Sequence, residues 1–232
     1  MKAVYALALI CFFSVSATSQ TVNLELKAEL DSIMTLDQGT RQLTDQNITK
    51  EKKSEILQKI GYTEKEFDAN PWGIITKHDS LNQKRIYEIL DQYGYPGKSL
   101  VGTPTHLSAW LVIQHSGAIE KYFPLIKEAG EQEELPMQYV GLMEDRLLMQ
   151  QGREQVYGTQ AWGSALKNAP KGKGDQVFII WPIKDPETVN QRREQAGFTN
   201  TVEEYARQME IDYKVYTLEE VKNMFKHLPG TN

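Results

Sequence analysis

A single cysteine, Cys11, stands in the 232 residues, and it lies in an apolar leader. Once that leader is removed, disulfide frameworks, thiol catalysis and zinc–thiolate sites are excluded. Histidine is almost as sparse. His78, His106, His115 and His227 have no partner at i,i+2 or i,i+4, so no metal site is expected. The sequence also lacks a Gly-x-Ser-x-Gly elbow, a phosphate-binding loop and a dinucleotide fingerprint, which leaves no cofactor expected. Basic residues do not predominate. Beyond the leader 25 Lys and Arg face 31 Asp and Glu, a balance that argues against a nucleic-acid partner. Long hydrophobic runs are missing too, as are internal repeats and low-complexity tracts. The apolar stretch Ala3 to Val15 has 13 residues, short of the ~20 that a membrane-spanning helix needs.

That leader has a recognisable form. Lys2 precedes the apolar run, and the small residues Ser14, Ser16, Ala17 and Ser19 follow it. The pattern predicts a signal peptide over residues 1–19, hence export to the periplasm or the exterior with no membrane span after cleavage. A lipoprotein signal at Cys11 would need a small residue where Ile10 stands. About 210 residues remain, enough for one sizeable core. The expected fold is mainly α: a single helical domain over residues 20–232 with one β-hairpin packed on it. Residues 168–174, NAPKGKG, read as the hairpin loop.

Leu26, Leu30, Ile33 and Met34 mark one face of a helix over residues 22–42, and Asp37 and Arg41 continue that face. The two form an i,i+4 pair that is either a weak surface contact or a polar pair aimed inward. Residues 50–60 form a short charged helix ended by Gly61, and Thr63 with Glu66 makes a capping box. Pro71-Trp72-Gly73 reads as a chain break, with His78 in a loop and a new helix capped by Ser80. Thr103-Pro104 signals another helix start. On that helix Leu107, Leu111, Gln114 and His115 share a face, which points His115 inward and His106 outward. Pro124 is expected to kink or split the helix over residues 118–129, ahead of a solvated acidic loop from Glu128 to Glu134.

Residues 137–160 are the centre of the pattern. Apolar residues cover most of the helix over 136–149, yet Glu144, Asp145 and Arg146 sit among them, so a buried ion needing a partner is expected. Residues 155–162 and 176–183 read as two strands, the second apolar enough to be covered on both faces. In the first, Gln155, Tyr157 and Thr159 would share a polar face, either an ordinary sheet surface or a recognition surface. Gly158 between them suggests a bulge or a close approach of backbone or ligand. Asp185-Pro186 reads as a helix start; Arg192 or Arg193 beyond it could return over the strands to bind an anion. Thr201 with Glu204 and Thr217 with Glu220 cap two last helices.

Asp37-Gln38 with Arg41, Gln114-His115, Asp145-Arg146, the string Gln155 to Gln160, and Asp185-Pro186 with Arg192-Arg193 and Gly197 occur in this order. Together they resemble a bacterial family known only as a domain of unknown function and found often in exported proteins. The resemblance runs from about Leu24 to Tyr205. It implies candidate positions without a reaction. The family usually has an acidic residue two positions after His115, where this chain has Gly117.

Two functional expectations follow. One is an exported hydrolase or transferase acting on a small or envelope-derived substrate. His115 would be its general acid or base, since an ordinary imidazole titrates near neutral pH. Asp145 would orient His115 or share its proton. Arg146, with Arg41 or Arg192, would hold an anionic group, while Gln155, Tyr157, Thr159 and Gln160, with Asp37 and Gln114, would complete a pocket that Gly158 lets the ligand approach. The other is a non-catalytic ligand-binding or interaction module of the cell envelope, in which the same residues form a sealed network or a pocket without chemistry.

Overall fold

The computed structural model describes residues 21–167 and 176–230. The leader and the 168–174 loop lie outside the described residues. Within them the fold is mainly α with one two-stranded antiparallel sheet. No described helix is long and apolar enough to cross a membrane.

The main core is helical. α1 (Leu24–Gln42) presents Leu26, Leu30 and Ile33, and α4 (Pro71–Tyr93) presents Ile86, Ile89 and Leu90. Against these pack Trp110 and Ile113 of α6 (Ser108–Ile113), Ile119 and Ile126 of α7 (Ile119–Glu131), and Val140 and Met143 of α8 (Met137–Gln150). α2 (Lys50–Ile60) and α3 (Glu64–Ala69) close a satellite core of Leu43, Ile56, Leu57, Ile60 and Phe67. The capping box Thr63–Glu66 forms as expected, and so do those of α10 (Val202–Gln208) and α11 (Leu218–Met224).

The expected hairpin is present but shorter. β1 (Ala161–Ala165) pairs with β2 (Gln176–Ile180), with Ala161 opposite Ile180. Cover on both faces reaches only the inner end. Ile180 packs with Val189, Val202 and Ala206, and Ile179 with Trp181, Val221 and Phe225. Toward the tip Phe178 is 56% exposed, so the apolar composition overstates the burial of the strand.

Five sequence readings are corrected. Pro71 does not break the chain: Asn70 caps α4, Pro71 takes the first helical position, where its missing N–H is no loss, and the helix runs unbroken through His78 and Ser80. The Thr103–Pro104 peptide is cis and leads into a 3-10 turn over Thr105–Leu107 before α6. α6 ends at Ile113. His115 therefore lies beyond it and is exposed, whereas His106 is 5% exposed; the face counted across the tighter 3-10 turn does not carry over. Pro124 lies inside α7 without splitting it, and that helix extends into the supposed acidic loop as far as Glu131. Finally, Gln155 to Gln160 is not a strand. Gln155 makes one isolated bridge to Ile183, and the segment wraps as a loop against α8.

Candidate functional site

The loop 155–160 wraps around Asp145. α8 carries this carboxylate into the interior, 0% exposed. Its Oδ1 accepts from the backbone N–H of Val156 at 2.6 Å and of Tyr157 at 3.0 Å; its Oδ2 accepts from the N–H of Thr159 and from its hydroxyl, both at 2.9 Å. Every contact is a donor pointing at oxygen, so the geometry suits the ionised form. Burial pushes the carboxyl upward, and these loop donors pull against it.

The loop's carbonyls are held from the opposite side. Arg192 donates to the Val156 carbonyl, Arg193 to that of Tyr157, and the Tyr205 hydroxyl to that of Thr159. α9 (Val189–Gln195) places both arginines. Arg193 is 1% exposed, also donates to Asn200, and lies 4.7 Å from the Phe198 ring centre. Burial pulls its guanidinium down, and the charge of Asp145 works the other way. The Tyr157 peptide thus lies between the two buried charges, its N–H on one and its C=O on the other. Gln155 is also sealed in, its amide bonded to Gln160 and to the Trp181 carbonyl.

These contacts correct the expected roles. Asp145 does not orient His115, because both its oxygens serve the loop. Arg192 and Arg193 hold backbone carbonyls instead of reaching for an anion. Gln155, Thr159 and Gln160 are buried and share no open face with Tyr157, whose ring packs on Gly141 and Phe198. Gly158 serves packing: at φ +69 a Cβ would stand 2.7 Å from Val202 Cγ2 and 2.8 Å from Ile183 Cδ1. Gly158→Ala is expected to lose about 2–3 kcal/mol of stability through backbone strain and overpacking. Thermal or urea denaturation measures this, and an unchanged midpoint would contradict it.

A second polar group lies nearer the surface, with Asp37 buried and His115 exposed. Asp37 on α1 is 1% exposed and accepts from Gln38 and, at 3.2 Å, from Arg41. Arg41 also donates to Asp79 of α4 at 2.7 Å. Of the two readings of the Asp37–Arg41 pair, the inward one holds. Burial draws the Arg41 guanidinium down, and the two carboxylates more than offset it. Beyond the end of α6, His115 forms no side-chain hydrogen bond among the described residues. Crowding by the surrounding protein, then the charges of Arg41 and Arg146, lower its pKa to about 4, so the imidazole is neutral at pH 7. Arg146 of α8 donates to the Gln114 carbonyl at 2.9 Å and forms no ion pair among the described residues.

The chain therefore brings Asp37, Arg41, Gln114, His115 and Arg146 to one place and seals Asp145, Gln155, Thr159 and Gln160 in another. Arg146 and Tyr205 are near enough for each to influence the other's titration, which links the two. Asp79 and Tyr205 are the members that sequence reasoning missed. Asp79 was concealed by the assumed break at Pro71. Among the described residues no group of three or more acidic, histidine or cysteine side chains is placed to hold a metal.

No curated protein and no solved structure matches the chain. A family model does match, over residues 41–218, a span that holds Arg41, His115, Arg146, the clamped loop and both arginines of α9. The match covers most of the sequence, and the protein belongs to the family of unknown function DUF6624.

Proposed function

We propose that this is an exported protein, periplasmic or secreted, that binds a small anionic ligand on Arg146 beside His115. One observation carries the reading: Arg146 is a partly buried cation whose one hydrogen-bond acceptor among the described residues is a neutral carbonyl, that of Gln114. A desolvated charge without a counter-ion is costly, and an anionic ligand supplies one. Arg41 is already satisfied by two carboxylates and borders the site without offering its full charge.

Calorimetric titration with sulfate, whose charge is constant over the range used, tests this. The expected result is saturable binding that Arg146→Gln weakens at least tenfold, about 1.4 kcal/mol. Binding should tighten as pH falls from about 8 toward 5. A bound anion favours the imidazolium and so raises the pKa of His115 from its value of about 4 in the free protein. Affinity then grows as pH drops through the raised value and levels off below the free one. His115→Gln should remove that dependence. Binding that is absent, or indifferent to Arg146→Gln, would overturn the proposal.

A second reading is supported by the imidazole itself. A neutral histidine with no hydrogen-bond partner, set beside a cation, is placed to take a proton from a substrate or a water. A hydrolase or transferase with His115 as general base would turn over a phosphoester, ester or envelope fragment. His115→Ala should abolish that turnover while sulfate binding survives. Turnover that persists in this variant would refute the second reading and leave the first intact.

A further inference from the structure

A cavity of about 540 Å³ opens elsewhere, between α5 (Lys98–Val101), the 3-10 turn at His106, the end of α7 and the start of α8. It shares no lining residue with the Arg146 site. Leu107, Leu135, Met137 and Tyr139 give it an apolar wall. That wall is firmly built: the Trp110 indole donates to the Tyr139 carbonyl, and the Tyr95 hydroxyl donates to that of His106. Its volume falls within the range of small-molecule pockets.

His106 lines the cavity and is almost wholly buried; burial, then the charge of Lys98, hold its pKa below the usual histidine range, so the ring is neutral. The feature that points to an occupant is at the mouth. Lys98 and Glu133 also line the cavity, both exposed, and neither forms an ion pair among the described residues. Opposite charges at the mouth of an apolar hollow complement a molecule that carries both signs at one end and an apolar body at the other.

We propose that this cavity binds an apolar α-amino acid, its carboxylate on Lys98, its ammonium on Glu133 and its side chain against Leu107, Leu135, Met137 and Tyr139. The test is titration of the full chain with phenylalanine, followed by calorimetry and by the His106 ring signals in NMR. Saturable one-to-one binding is expected, with a shift of those signals. Lys98→Met and Glu133→Gln should each weaken it at least fivefold, and Met137→Glu should weaken it without touching either charge. Both rim charges are exposed, so these variants should fold. N-acetyl-phenylalanine amide, which has the apolar body without the charges, should bind at least fivefold more weakly. No saturable binding, binding of the capped compound equal to that of the free amino acid, or binding indifferent to both rim variants would each overturn the proposal. Sulfate binding at Arg146 should be unaltered by the rim variants, and loss of both together would count against a separate site.

Discussion

Asp145→Ala is expected to remove about 4 kcal/mol of stability, most of what a marginal domain has. The substitution leaves the N–H groups of Val156, Tyr157 and Thr159 inside the protein without an acceptor, since no water reaches a side chain that is 0% exposed. Each orphaned donor costs about 1–3 kcal/mol, less whatever the loop recovers by relaxing. It also removes a negative charge that acts on Arg193. Asp145→Asn keeps the volume but turns an amide NH2 toward loop N–H groups, donor against donor, so its loss should approach that of alanine. Urea denaturation followed by tryptophan fluorescence is suitable, because the Trp181 indole donates to the Arg153 carbonyl at the edge of the same loop. A loss under about 1 kcal/mol for the alanine variant would mean that the loop does not depend on this carboxylate.

The consequence for function lies one residue along the helix. Arg146 follows Asp145 on α8, and its guanidinium reaches the Gln114 carbonyl beside His115. An α8 held against the loop by Asp145 fixes the direction in which Arg146 points. On the proposed function, Asp145 would be a positioning residue, acting through the loop and the helix it joins.

The pattern of residues made the buried ion legible, because an acid among Leu142, Met143 and Met149 on a helix apolar nearly all round has nowhere to go but inside. It did not make the partner legible. Gln155, Tyr157 and Thr159 alternate as strand residues do, but alternation of polar side chains says nothing about backbone N–H groups, and it is these that Asp145 binds. The face of α1 was readable for the same reason that the face of α8 was: Leu26, Leu30 and Ile33 lead in register to Asp37. Asp79 was not, since reading Pro71 as a break hid the helix that carries it to Arg41. His115 was placed with Asp145 and Arg146, and of the two only the arginine is among the charges it meets. The helix meant to turn it inward ends at Ile113, and the exposed ring meets Arg41 and Arg146 from outside. Chain order conveys which residues recur on a face; it does not convey where a 3-10 turn or a cap resets that face.

Arg193→Met should lose about 3 kcal/mol, and its coupling to Asp145 is the sharper measurement. Methionine fills much of the volume beside Phe198 and Tyr205, so the loss isolates polar contacts from packing. What disappears is the set of donors to the Tyr157 carbonyl and to Asn200, in a side chain 1% exposed. Arg192 offers the contrast. It makes comparable bonds to the carbonyls of Val156 and Lys184 but is only half-buried, so water can replace its donors and Arg192→Met should lose about 1 kcal/mol. Because the Tyr157 peptide bridges Asp145 and Arg193, removing one ion weakens what the other contributes. The double variant Asp145→Asn with Arg193→Met should therefore lose less than the sum of the two single losses, by about 1–2 kcal/mol in a denaturation cycle. Simple additivity would show that the two charges hold the loop independently, and the continuous path from Asp145 through Tyr157 to Arg193 would then have no energetic meaning.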